Sequence, residues 1–217
     1  MSAGVAAGVL LAAHPAAAQQ SEEGHGWSVR LSLGASFNFP TRLTIRQEGA
    51  PTLATGARWA ARPLELPLYY SVRVSRWDAT GAWEVELVHH KLYLRNPPTE
   101  VQRFEISHGF NLVLVSRGVR AGNLVLRAGA GLVVAHPENV VRGEALAPAR
   151  TLLGGGYHLA GPALQLGAAR EWRGPGPLRL SAEGKVTGAW TRIPVARGWA
   201  TVPNLALHAL AGVGLGP

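Results

Sequence analysis

Residues 27–38 read Trp27-Ser28-Val29-Arg30-Leu31-Ser32-Leu33-Gly34-Ala35-Ser36-Phe37-Asn38, an unbroken alternation of apolar with small or polar side chains. A β-strand turns successive side chains to opposite faces, so one face of this stretch is apolar and the other is polar and carries Arg30. At about 3.3 Å per residue the strand is long enough to cross a bilayer core even when tilted.

The same pattern recurs along the chain. Leu66, Leu68, Tyr70, Val72 and Val74 alternate with Tyr69, Ser71, Arg73 and Ser75, and Trp83, Val85 and Leu87 with Glu84, Glu86 and His90. Phe104, Ile106, Phe110, Leu112 and Leu114 alternate with Glu105, Ser107, Gly109 and Asn111. Leu124 to Val134 alternates with Arg127, Gly129 and Gly131, and a sixth strand spans 157–170, with Gly161-Pro162 obscuring its facing. Leu178, Leu180, Ala182 and Val186 oppose Arg179, Ser181, Glu183, Lys185 and Thr187; Leu205 to Leu215 opposes Asn204, His208, Gly212 and Gly214. The expected fold is therefore all-β, with eight strands.

Connection lengths give an independent criterion. The joins at 78–81, 116–122 and 173–177 are short, whereas 39–65, 95–103, 136–155 and 191–203 are mostly longer. Short turns at one end and long loops at the other, with both chain ends on the short-turn side, suit an outer-membrane barrel. Aromatic placement agrees. Trp27, Trp77, Trp83 and Trp172 fall at the short-turn end, and Phe37, Tyr70, Tyr93, Tyr157, Trp190 and Trp199 toward the other. Membrane barrels collect their rings at two interfaces.

Composition narrows the class. The chain is 47% hydrophobic and 16% charged, which excludes a strongly solvated disordered chain, and no apolar run is long enough for a membrane helix. It has no cysteine, hence no disulfide or thiolate metal site. The net charge of +8 comes almost wholly from arginine, Lys91 and Lys185 being the only lysines. These charges are spread one per strand or loop, unlike the clustered basic face of a nucleic-acid module, so no nucleic acid is expected. Residues 1–18 read as a secretory leader, with an apolar run from Ala3 to Ala13 and small residues before Gln19; 19–26 form a lead, and 27–217 the barrel domain.

In these strands and loops the chain resembles the small outer-membrane β-barrels of the OmpA/OmpX/OmpW type. The resemblance rests on architecture and covers Trp27 to Pro217, although the chain closes on Gly214-Leu215-Gly216-Pro217 rather than on the terminal aromatic habitual in that group. It implies an eight-stranded, antiparallel, up-and-down transmembrane barrel in the cell outer membrane of a Gram-negative-type bacterium. It also implies a monomer that meets the barrel assembly machinery, outer-membrane lipid and lipopolysaccharide. No lipid A palmitoyltransferase or deacylase motif can be matched residue by residue.

With the apolar faces turned to lipid, the lumen is expected to hold Arg30, Arg73, Arg127, Arg179 and Lys185 against Glu84, Glu86, Glu105 and Glu183. An eight-stranded barrel is just wide enough for side chains to fill, and an isolated buried charge costs several kcal/mol or more, so these charges should pair into a polar plug. Centring the 95–103 loop near Pro98 sets His89 opposite His108 on the lipid side and His90 opposite Ser107 in the lumen. His89, Lys91 and His108, with Arg95 and Arg103, are then candidates for lipopolysaccharide phosphate contact. Ser107, His90 or His208, and Glu105 supply the residue types of a Ser-His-acid hydrolase, without a nucleophile elbow or oxyanion motif. His136 and His158 also fall near this outer half, but no ligand spacing on one element compels a metal, and no metal or cofactor is assigned. The leading expectation is a non-enzymatic surface protein; a narrow solute channel and a lipid A-modifying hydrolase or acyltransferase are the alternatives.

Overall fold

The computed structural model describes residues 25–147 and 155–216; the expected leader and residues 19–24 of the lead lie outside them. The strands are β1 (Gly26–Asn38), β2 (Thr41–Gln47), β3 (Leu53–Ala57), β4 (Trp59–Ala60), β5 (Tyr70–Asp78), β6 (Gly81–Leu94), β7 (Val101–Ala121), β8 (Leu124–Ala135), β9 (Glu138–Val141), β10 (Glu144–Ala145), β11 (His158–Arg173), β12 (Leu178–Val195) and β13 (Gly198–Leu215). Eight of them form a closed antiparallel ring, in the order β1-β5-β6-β7-β8-β11-β12-β13. The ring is completed by β1 against β13, from Val29↔Leu215 to Asn38↔Ala206.

The facing of β1 is as its alternation demands. Leu31 and Leu33 are 48% and 53% exposed, while Arg30 is 9% exposed. An apolar exterior around a polar interior inverts a water-soluble barrel, and the stable surroundings for that exterior are hydrocarbon. Val74, Val85, Leu126, Leu132, Leu164, Leu166, Leu180, Leu207 and Val213 continue the exposed apolar belt around the ring. At its short-turn edge arginines lie over tryptophan rings: Arg76 on Trp27 (5.4 Å), Arg117 on Trp83 (5.6 Å) and Arg170 on Trp172 (5.7 Å). Such rings carry their apolar bodies toward lipid and their cationic partners toward headgroups. Trp77 departs from the expected girdle. It is buried with Ala82 and Val125 inside the barrel's short-turn end, with Arg120 3.9 Å from its ring.

Two expectations are corrected. The long outer connections contain strands. β2 pairs with β13 and β3, and β12 and β13 run on to a tight hairpin at Val195–Gly198, so the wall continues above the apolar belt. The second correction concerns β7, where Phe110, Leu112 and Leu114 are fully buried and Val113 and Val115 face outward. Residues 110–115 are apolar on both faces apart from Asn111, so alternation could not assign them.

A bulge adds to the β7 difference. Pairing runs His90↔Phe110 and then Leu92↔Ile106, so residues 107–109 oppose Lys91 alone. Gly109 sits in the bulge at φ 131°, where a Cβ would lie 2.3 Å from the Asn111 amide nitrogen. Below the bulge His89 therefore faces Asn111 rather than His108.

Candidate functional site

The lumen is stratified. In the short-turn half, Arg73 makes a two-pronged contact with Glu183 (2.7 Å for each prong) and reaches Glu86 at 3.0 Å. Arg127 bonds Glu84 (2.9 Å) and Glu171 (3.2 Å), Arg30 bonds Glu171 (2.6 Å), and Lys185 donates to Glu86 and lies 3.2 Å from Glu183. Four cations thus meet four carboxylates, so the cluster is formally neutral. Ser71 and Gln165 add hydrogen bonds to the two oxygens of Glu86, and Ser75 donates to the second oxygen of Glu84. Burying these charges is tolerable because each has an opposite partner and further hydrogen bonds.

Of the expected lumen charges, Arg30, Arg73, Glu84, Glu86, Arg127, Glu183 and Lys185 are brought together. Arg179 is not. It stays at the short-turn rim, donating to the Gly176 and Leu178 carbonyls. Glu105 is not in the lumen either; it lies on the outer extension of β7 against Arg103, on the face opposite the inward-buried Phe104 and Ile106, the same inverted parity as at Phe110 to Leu114. Glu171, which joins Arg30 to Arg127, is absent from the expected set. Counting inward positions from the outward pair Leu164 and Leu166 would have reached Gln165 and Glu171 despite the irregularity at Gly161.

Above the charges is a layer of neutral polar groups. The Tyr69 hydroxyl is hydrogen-bonded to His208 Nδ1 (2.8 Å), and Thr187 to His208 Nε2 (2.8 Å). His90 bonds Ser36 (3.1 Å) and Asn38 (3.0 Å), its ring 5.4 Å from that of His208. Higher still the interior is apolar: Leu43, Ile45, Trp59, Leu92, Phe104, Ile106, Phe110, Ile193 and Val202 belong to one buried cluster.

The Ser-His-acid set is not assembled. His90 and His208 lie in the lumen layer, while Ser107 and Glu105 belong to the outer extension. Ser107 does touch an acid and an imidazole, but both Ser107 Oγ and Glu138 Oε1 approach the same nitrogen, Nδ1 of His108. A relay needs the acid on one ring nitrogen and the hydroxyl on the other.

The expected lipopolysaccharide contacts also separate. His89 and Lys91 are 5% and 1% exposed. His89 stacks on Tyr70 (5.1 Å, 12°) and donates from Nδ1 to Asn111 Oδ1 (2.8 Å). The 61–69 segment lies over this face, with Lys91 donating to the Glu65 carbonyl (2.6 Å) and Arg62 4.3 Å from the Tyr93 ring. His108 and Arg103 are exposed and both contact Glu138. Burial works against the charged form of Glu138, yet Arg103, the Ser107 hydroxyl and His108 together hold its carboxyl below the usual carboxylate range. Arg95 is exposed at the rim, its amide bonded to the Arg58 carbonyl (2.9 Å). Arg58 in turn donates its amide to Asn96 (2.7 Å), and Asn96 reaches the carbonyl of Gly56, the strand partner of Arg42. Arg42, Arg58 and Arg95 thus converge on one sector of the outer rim, none with a carboxylate partner among the described residues.

No protein-family model matches the chain, and no curated protein matches it in sequence. Solved structures do. The outer membrane protein AlkL, determined in lipid bilayers, aligns at TM-score 0.50 and 10% identity over 99% of this chain and 96% of that one. OprG of Pseudomonas aeruginosa aligns at 0.49 and 8% identity over 89% and 98%, and neisserial surface protein A at 0.39 and 11% identity over 89% and 99%. The closed eight-stranded ring, together with the AlkL alignment, is the fold of a small outer-membrane β-barrel.

Proposed function

We propose that this barrel is a closed surface protein of the outer membrane, and that its outer rim holds the phosphates of lipopolysaccharide through Arg42, Arg58 and Arg95. The observation that carries the reading is the convergence of three exposed arginines, without carboxylate partners among the described residues, on one rim sector. Three exposed, unneutralised arginines brought to one sector by the backbone raise the local positive charge, and guanidinium groups bind phosphate through paired hydrogen bonds. Arg103 and His108 extend the contact less, since Glu138 already engages both. Closure of the lumen is supported by the neutral charge cluster, the histidine layer and the apolar plug stacked along one axis.

Two measurements test the halves of this reading. Protein reconstituted with lipopolysaccharide should lose most of its salt-sensitive binding in an R42A/R58A/R95A variant; unchanged binding would defeat the contact. In planar bilayers the chain should give no steady conductance. Reproducible channels that vanish when Arg73 and Glu86 are altered would defeat the closed lumen.

A further inference from the structure

We infer that His108, His136 and Glu138 form a binding site for a divalent transition-metal cation, Zn2+ being the best fit, on the outer wall of the barrel. The three residues come from two neighbouring segments. His108 lies in the β7 bulge, and His136 and Glu138 sit where β8 passes into β9, which pairs back onto β7 through Glu105↔Glu138. Their ligand atoms all lie within 4.8 Å of one another. Two imidazoles and one carboxylate are a recurrent ligand set for zinc that leaves a fourth position open.

A second observation points to a missing partner. His136 Nδ1 is buried and has no hydrogen-bond partner, although it lies 3.9 Å from Glu138 Oε1. Buried ring nitrogens are normally satisfied, and a gap of that size between a nitrogen and a carboxylate oxygen suits a bridging cation better than a direct bond. The ring is held from behind. Gly156, at φ 79°, lets the chain close over His136 so tightly that a Cβ there would lie 3.0 Å from Nε2. His136 is therefore oriented with Nδ1 toward Glu138. His136 and Glu138 also line a pocket of about 350 Å³ beside the corner.

Zinc–ligand distances of 2.0–2.1 Å give tetrahedral edges of about 3.3 Å, so the His108–Glu138 pair, 2.5 Å apart, must open slightly and the His136–Glu138 pair, 3.9 Å apart, must close slightly. The exposed His108 side chain can supply that movement by rotation, without shifting the wall. Arg103 is the competitor: it engages Glu138 Oε2 and would have to share or release it. Metal binding would cross-link the β7 bulge to the β8–β9 junction. It would also replace the direct contact between His108 and Glu138.

The test is titration of untagged full-length protein in detergent micelles with Zn2+, followed calorimetrically, and with Co2+, followed by visible absorption. One Zn2+ per chain is expected, together with the intense visible bands of tetrahedral Co2+. H108A, at an exposed position, should weaken binding by about tenfold or more, H108A/E138Q should abolish it, and R103Q should tighten it. Absence of Zn2+ binding by the folded wild-type barrel would overturn the site. So would affinity unchanged in H108A/E138Q, provided circular dichroism shows that variant folded.

Discussion

In its lower half β12 turns Leu180, Ala182 and Val186 outward and Ser181, Glu183, Lys185 and Thr187 inward. In its upper half the same inward parity carries Thr191, Ile193 and Val195, while Trp190 and Arg192 point out. β13 does likewise, with Asn204 and His208 inside below and Ala200 and Val202 inside above. The backbone geometry is continuous; what changes is the surrounding medium. Where hydrocarbon covers the wall, apolar side chains gain by facing out and charges are stable only when paired inside. Where water covers it, ordinary hydrophobic burial returns. The height at which the pattern reverses marks the outer membrane surface.

The sharpest way to break this comparison is to remove one member of the lower cluster. Glu183→Gln leaves Arg73 and Lys185 short of a carboxylate in a buried site, and we expect a loss of about 3–5 kcal/mol in denaturant unfolding from lipid vesicles. Phe110→Ala in the upper plug should cost a similar amount or slightly less, about 3–5 kcal/mol, through cavity formation. If E183Q proves neutral, the lower interior is wet rather than paired.

The next test contrasts outward positions. Leu31→Arg faces hydrocarbon and should cost about 2–4 kcal/mol, whereas Thr44→Arg, outward on β2, should stay within about 0.5 kcal/mol. Equal costs at the two sites would erase the distinction between the halves.

The smallest effect concerns pH at the two ends. Thr80, through its hydroxyl and then its amide, and more weakly Arg117, hold the Asp78 carboxyl below its ordinary range; a two-pronged bond from Arg197 does the same for Glu144. A depressed carboxylate contributes stability that is complete above its unfolded pKa and fades as pH falls through the folded value. Both contacts should therefore hold at neutral pH and loosen only under acid. Carbon-detected NMR titration showing either group at or above the ordinary carboxylate value would contradict these contacts.

How far the sequence could be read follows from the same comparison. β1 was legible because one face is apolar throughout and the other never is. The lumen charges were legible because parity carries Arg73, Glu86, Glu183 and Lys185 to one side. β7 was not, since Phe110 to Val115 is apolar on both faces and the plug behind it has no counterpart in a purely polar lumen. The outer hairpins look like loops in the sequence because the apolar phase reverses within Thr191–Pro203. The His108–His136–Glu138 corner depends on a bulge and a strand return that no single-element spacing encodes.

The reversal itself can be measured directly, since the chain has no cysteine of its own. Spin labels on L33C, R192C and I193C, compared for contact with oxygen and with a water-soluble nickel chelate, report lipid, water and dry interior respectively. The expected result is oxygen contact alone at 33, nickel contact at 192 and neither at 193. Nickel contact at 33, with a label at 192 that only oxygen reaches, would contradict it.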